Sequence, residues 1–238
     1  MLFVISLLCS ILFFLAFHKT IRKVPVFFYL LTVASVIYLF GSYLLNIYSW
    51  WPDWFMEYVV MQYSRGSLST AVFAIVMYLG VLNPKLPGVA PLRSIRGEIS
   101  IIGCFLALGH NIYYGMYYFA TLFTHTGELT LPYLIATCTT LILILIMLPL
   151  MITSFRGVRK RMKASSWKGL QKLAYPFYVL LYVHIMIVLI ANVRGFSTIL
   201  SIITYSAVFL PYYVLLILKF RRNAQAGKCR NEGIHKVA

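Results

Sequence analysis

Long runs of apolar residues, separated by short polar segments, dominate the pattern along the chain. Seven of them approach or exceed the roughly 20 mostly apolar residues that a membrane-spanning helix needs. The runs lie at residues 1–17, 25–49, 67–83, 98–120, 131–154, 173–193 and 197–219. They lack the strict apolar and polar alternation of membrane-barrel strands. Because lipid offers no partners to backbone amides, the pattern predicts an all-α membrane protein with about seven transmembrane helices.

The composition leads to the same class, since 61% of the 238 residues are hydrophobic and 11% are charged. Soluble globular domains are far less apolar and more highly charged than this. The first apolar run has basic residues after it and none before it, the reverse of a cleavable signal peptide. We therefore expect an N-terminal transmembrane anchor with a basic loop at 1–24, a helical bundle at 25–219, and a basic cytoplasmic tail at 220–238.

The net charge of +16 is distributed very unevenly across the predicted membrane. With seven spans, 19 of the 21 Lys and Arg residues fall on one side, and only Arg65 and Arg194 fall on the other. Lys and Arg accumulate on the cytoplasmic side of membrane proteins. The chain is therefore predicted to have an outer N-terminus and a cytoplasmic C-terminus in a plasma membrane. The lipid bilayer accounts for the basic charge, and no nucleic acid partner is required.

Two histidines stand out because they lie inside apolar runs, where ionisable side chains are rare and usually face a cavity or a site. His110 follows Glu98 by twelve residues, and His184 follows Lys172 by twelve residues. Both runs are predicted to cross the membrane in the same direction, so each histidine lies roughly 18 Å along its helix. The two imidazoles are therefore expected at the same depth.

Two imidazoles on facing helices would provide both axial ligands of a heme b iron. Small residues near His110 would let a broad macrocycle approach the backbone; they are Gly103, Ala107, Gly109 and Gly115. A structural interpretation stays open beside this one. A membrane histidine often hydrogen bonds across helices, and small residues serve ordinary helix packing.

Two segments resemble the ferric reductase-like transmembrane superfamily, which includes NADPH oxidases and iron reductases. They are RSIRGEISIIGCFLALGH, ending at His110, and WKGLQKLAYPFYVLLYVH, ending at His184. The second segment also resembles MsrQ-like heme-binding membrane subunits through its W-K-x-L entry, which matches Trp167, Lys168 and Leu170. The resemblance implies a six-helix heme-binding bundle over about residues 25–219, with one additional N-terminal helix.

The resemblance also implies which residues bind a cofactor. His110 and His184 correspond to the pair that holds the outer heme of the superfamily. The inner pair would fall fourteen residues before His110 and thirteen before His184, where this chain has Arg96 and Gln171. Neither side chain is a good heme ligand, so one heme b is expected. Arg96 and Gln171 would instead lie near an inner site for FMN or a quinone.

The resemblance thus implies an electron-transfer subunit of a membrane oxidoreductase, with no catalytic residue of its own. A quinol or flavin would donate electrons, and an extracytoplasmic flavin- or molybdenum-containing protein would accept them. A bacterial host is expected. Two other classes stay open, a cofactor-free transporter and an assembly subunit whose histidines only pack. The transporter is less favoured because all five acidic residues fall at predicted interfaces or loops.

Overall fold

The computed structural model describes residues 2–235, except for the side chains of residues 223 and 226–235. Within this part of the chain the only regular elements are helices, so the predicted all-α membrane protein is confirmed. Part of the predicted tail, residues 236–238, lies outside the described residues. The long helices are α1 (Leu2–Lys23), α2 (Pro25–Leu44), α3 (Ser67–Val81), α4 (Arg96–Thr124), α5 (Leu131–Ser154), α6 (Ala174–Ala191) and α7 (Phe196–His235).

Six helical stretches are long and apolar enough to cross a membrane. They are α1, α2, α4, α5, the stretch Ala164–Ala191 that includes α6, and α7 as far as Arg222. The predicted third span differs from these. Helix α3 has 15 residues and is therefore only about 22 Å long, shorter than the ~30 Å hydrocarbon core. It reaches spanning length only together with Asp53–Ser64, from which it is bent by 54°.

Short helical segments connect the long helices. Asp53–Ser64 consists of an α-helical turn at Asp53–Phe55, a π-helix at Met56–Val60 and a second α-helical turn at Met61–Ser64. The other short helices are Ile47–Trp50, Val89–Ser94, Thr126–Glu128, Arg156–Arg161 and Ala164–Gln171.

Helix α3 lies at the centre of the bundle, with eleven of its fifteen residues buried. It packs against α1, α4, α6 and α7. Helix α5 also packs against both α4 and α6. Helices α4 and α6 therefore lie at opposite corners of a four-helix ring, with α3 and α5 at the other two corners. A site between α4 and α6 would be enclosed by all four helices.

One ion pair ties three segments together at the basic end of the bundle. The Arg156 guanidinium donates to the Glu98 carboxylate over 2.6 Å and to the Arg22 carbonyl over 3.1 Å. Glu98 is only 6% exposed, whereas the sequence placed it at an interface. The guanidinium from another segment makes this burial possible, because a buried carboxylate needs a partner charge.

Candidate functional site

The ring of α3, α4, α5 and α6 encloses a cavity of about 670 Å³, which we call the histidine cavity. His110 on α4 and His184 on α6 both line it. The first residues of α1 and the start of α7 complete its wall. Its volume lies within the range of cofactor and small-molecule sites in proteins. The fold therefore brings the two intramembrane histidines to one cavity.

The imidazole of His110 is anchored by the backbone just before α3. Its Nδ1 lies 2.5 Å from the carbonyl oxygen of Ser64. A carbonyl oxygen only accepts hydrogen bonds, so Nδ1 carries the proton. In the neutral ring Nε2 then has a free lone pair, and no protein group among the described residues bonds to it.

The imidazole of His184 is held in a similar way by α5. Its Nδ1 lies 3.3 Å from both the Ala136 carbonyl and the Thr140 hydroxyl. Because Thr140 gives its own proton to the Ala136 carbonyl over 2.9 Å, its oxygen is free to accept. Nδ1 of His184 is thus also the donor, and Nε2 has the lone pair. Metal-binding histidines show this same arrangement, with the second nitrogen fixed by a carbonyl or hydroxyl.

Gly66 shapes the contact between α3 and His110. Its φ of +69° lies in the left-handed region, which favours glycine. A Cβ at this position would also lie 3.2 Å from Cγ of His110. Sequence reasoning missed Gly66 and Ser64, although the Ser-Arg-Gly turn signal before the apolar run could have located them.

The histidine cavity is polar at one end and apolar at the other. Towards the C-terminus of α4 its walls are polar, and they include Asn111, Tyr114, Tyr118, Tyr133 and Asn192. Towards the N-terminus of α4 they are apolar, and they include Phe73, Leu143, Met147 and Phe177. Arg65 is the one Lys or Arg among the described residues that line the cavity, and it lies near the polar end. This distribution of polarity suits an apolar group with a polar or anionic edge.

The four small residues predicted to make room for a macrocycle do not act together. Ala107 and Gly115 line the cavity, as expected. Gly103 and Gly109 do not, and for them the prediction was wrong. A Cβ on Gly103 would lie 2.9 Å from Val72, and one on Gly109 would lie 2.7 Å from Val36. These two glycines allow α4 to pack closely against α3 and α2.

Arg96 and Gln171 lie apart from the histidine cavity. Nε of Arg96 donates to the Val76 carbonyl over 2.9 Å. The Gln171 amide donates to the Thr153 hydroxyl over 3.2 Å, and the nearby Trp167 indole donates to the Thr153 carbonyl. The structure therefore brings His110 and His184 together and leaves Arg96 and Gln171 outside that cavity.

Two further cations bond to the C-terminal end of α3. Arg93 donates to the carbonyls of Leu79 and Leu82 over 2.9 to 3.1 Å. Lys219 donates to the Gly80 carbonyl over 2.6 Å. That carbonyl has no helical partner because the residue four positions later, Pro84, has no N–H. Cations at this position satisfy the last carbonyls and complement the helix dipole.

Comparisons with known proteins give a bacterial relative of unassigned activity. No protein family and no solved structure matches the chain. The chain is similar to an uncharacterized protein of Treponema pallidum (strain Nichols), with 38% identity over 158 residues. The match covers 66% of this chain and 44% of the relative, so the chain spans less than half of the relative's length. The similarity establishes a bacterial relative and assigns no activity.

Proposed function

We propose that the chain is a membrane b-type cytochrome that holds one heme between His110 and His184. One observation carries the proposal: the two imidazoles lie on opposite helices of a ring, line one cavity, and each use Nδ1 for an anchoring bond. The bundle is then a six-helix ferric reductase-like core with one N-terminal helix. Counting α3 with its bent preceding segment gives seven spans.

The residues present fit a heme in three respects. The volume of about 670 Å³ is large enough for a cofactor. No third His, Cys, Asp or Glu joins the pair among the described residues, so a metal here needs further ligands from a source such as a porphyrin. The apolar end suits the hydrocarbon edge of the macrocycle, and Arg65 with the tyrosine hydroxyls suits its carboxylates.

A bound heme would supply an iron that takes up and gives away one electron at a time. The chain's own residues prepare the site for this chemistry. The carbonyls of Ser64 and Ala136 orient the imidazoles and increase their basicity. Phe73 and Phe177 pack edge to face at 5.1 Å and close the apolar end against water. Arg65 places positive charge near the polar end.

The charge asymmetry supports an orientation of the site in the membrane. The positive-inside rule places the Arg65 end of the cavity outside and the Arg93 end in the cytoplasm. We propose that electrons pass from a quinol or flavin donor to an extracytoplasmic flavin- or molybdenum-containing protein. The bacterial relative supports a bacterial plasma membrane.

The test is the visible spectrum of the detergent-purified protein, oxidised and dithionite-reduced, with heme quantified per chain. We expect a low-spin b-type spectrum near one heme per chain, lost in both His110→Ala and His184→Ala. His125→Ala is the matched control, because His125 is exposed in a loop outside the cavity and should leave the spectrum unchanged. A colourless wild type expressed with excess heme would overturn the proposal and favour a cofactor-free transporter or an assembly subunit.

A further inference from the structure

A second, smaller cavity is lined by Ser64 and Gly109, close to His110. It has a volume of about 150 Å³ and lies between α2, α4 and the bent segment Asp53–Ser64. We call it the ring pocket. Aromatic side chains form half of its lining, namely Phe40, Tyr43, Tyr48, Trp51, Tyr63 and Tyr113. The volume is well below the ~300 Å³ at which sites for whole drug-sized ligands begin, so the pocket is too small for a macrocycle and suits one small ring system.

The aromatic walls define the shape and polarity of the guest. The rings of Tyr43 and Tyr113 are 5.1 Å apart, and those of Tyr43 and Tyr48 are 5.8 Å apart. Faces and edges of aromatic side chains pack well against another flat ring. The Tyr63 hydroxyl donates to the Ser35 hydroxyl over 3.3 Å. Tyr43, Tyr48 and Tyr113 bring further hydroxyl groups, which are donors for carbonyl oxygens. A flat ring with carbonyl or hydroxyl groups at its edge meets both conditions.

The ring pocket and the histidine cavity are lined by neighbouring residues. Ser64 and Gly109 line the ring pocket. The Ser64 carbonyl is the same group that accepts the proton of His110 Nδ1, and Gly109 is the chain neighbour of His110. A ring bound in this pocket would therefore lie beside the residues that hold the His110 imidazole.

Two features of the surrounding backbone and surface indicate a ligand site with access from lipid. The π-helix Met56–Val60 contributes Met56 and Val60 to the lining. Helices of this type are rare, and those that occur are frequently located at functional sites. Tyr43 is 51% exposed while it lines the pocket, so the pocket extends to the outer face of α2. Ile37 on the same helix is 64% exposed and faces the lipid side.

We propose that the ring pocket binds the head ring of a lipid-soluble quinone. The inference rests on the proposed function and assigns it a donor site on the outer half of the bundle. Oxidation of one quinol to quinone releases two protons and two electrons, with ferric heme as the one-electron oxidant in two successive turnovers. The bond between His110 and the Ser64 carbonyl links the two sites for the electrons, and the outer location gives the protons an exit to water.

The experiment is photolabelling of the full purified chain in lipid nanodiscs with an azido-naphthoquinone, followed by peptide mass spectrometry. We expect labelled residues around the ring pocket and loss of that label with excess menadione. Leu39→Trp, which fills the pocket, should abolish it. Ile37→Trp is the matched control, two residues away on the lipid-facing side, and should keep the label. Val60→Phe fills the pocket from the opposite wall and replaces Leu39→Trp if that variant does not fold.

Label spread evenly over lipid-facing helices would overturn the proposal, as would label confined to the basic end near Arg93. Pocket label that survives in a folded filling variant would overturn it too. The visible spectrum of the same samples separates the two proposals. A low-spin heme spectrum without pocket label would refute the quinone site alone. Specific pocket label on a colourless protein would refute the heme and leave ring binding standing.

Discussion

The two ends of α3 both place polar side chains in apolar surroundings, and they do so for different purposes. At its C-terminal end lie Arg93, Arg96 and Lys219, and at its N-terminal end the turn through Gly66 contacts His110. By residue type alone both ends are candidate sites, because ionisable residues within membrane spans are usually functional.

Their hydrogen bonds separate the two ends. The three cations donate to main-chain carbonyls. The carbonyls bonded by Arg93 and Lys219 lie where the helix ends at Val81 before Pro84, and the end of a helix requires such donors. The two histidines each use one nitrogen for an anchoring bond and leave the other for the cavity. An intramembrane ionisable group is thus structural where the backbone uses its polar atoms, and a candidate ligand where one atom is left for a cavity.

The largest effect is expected at the C-terminal end of α3, where the polar side chains have a structural role. Arg93→Met removes three hydrogen bonds and leaves the Leu79 and Leu82 carbonyls without these donors. The loss should destabilise the protein by about 3 kcal/mol, since an unsatisfied buried polar group costs ~1–3 kcal/mol. The measurement is the melting temperature in detergent together with heme per folded chain. Lys85→Met, at an exposed position in the same connection between α3 and α4, should change neither the melting temperature nor the heme content. Lost heme with an unchanged melting temperature would instead place Arg93 in the cofactor site.

A smaller effect is expected at the histidine end from Gly66→Ala. A side chain in the left-handed region costs roughly 1–2 kcal/mol, and the added Cβ would press on the His110 ring. Heme per chain should fall more than the melting temperature alone explains. Gly127→Ala, where φ is not positive and no atom lies within 4 Å of an added Cβ, is the control. A variant with full heme content would show that His110 does not depend on this turn.

The smallest effect is expected from Thr140→Val, which removes one of the two acceptors near His184 Nδ1. The Ala136 carbonyl remains, so heme affinity should fall by about tenfold or less, at the lower end of the effects seen for such supporting groups. Thr139→Val is the control because that hydroxyl bonds to Ile135, outside the cavity. Heme titration of the apoprotein measures the difference. Equal heme affinity in the Thr140→Val and Thr139→Val variants would show that Thr140 does not support His184.

Hydrophobic pattern located the long helices and the two histidines well. The run 67–83 became α3 at Ser67–Val81, and both imidazoles line one cavity because their helices stand at opposite corners of the ring. The bend before α3 was not predictable in this way. The segment Asp53–Ser64 mixes aromatic and apolar residues with Asp53, Glu57 and Gln62, so its periodicity does not show where a π-helix begins.

Contacts between distant segments also could not be predicted from the sequence. Nothing in the residues around His110 indicates that the Ser64 carbonyl is its partner, because a backbone acceptor has no side-chain signature. The roles of Gly103 and Gly109 were misjudged for a related reason. A small residue on a membrane helix permits close approach of either a cofactor or a neighbouring helix, and only the structure shows which one is present.

The central claim is that His110 and His184 bind the same iron. Electron paramagnetic resonance of the oxidised purified protein tests it most directly, in the wild type and in His110→Ala and His184→Ala. The account predicts a low-spin signal of an iron with two imidazole ligands in the wild type. Each variant should lose that signal, through either a high-spin iron or an empty site. A low-spin signal that persists in one of the variants, or its absence from a heme-replete wild type, would contradict the account.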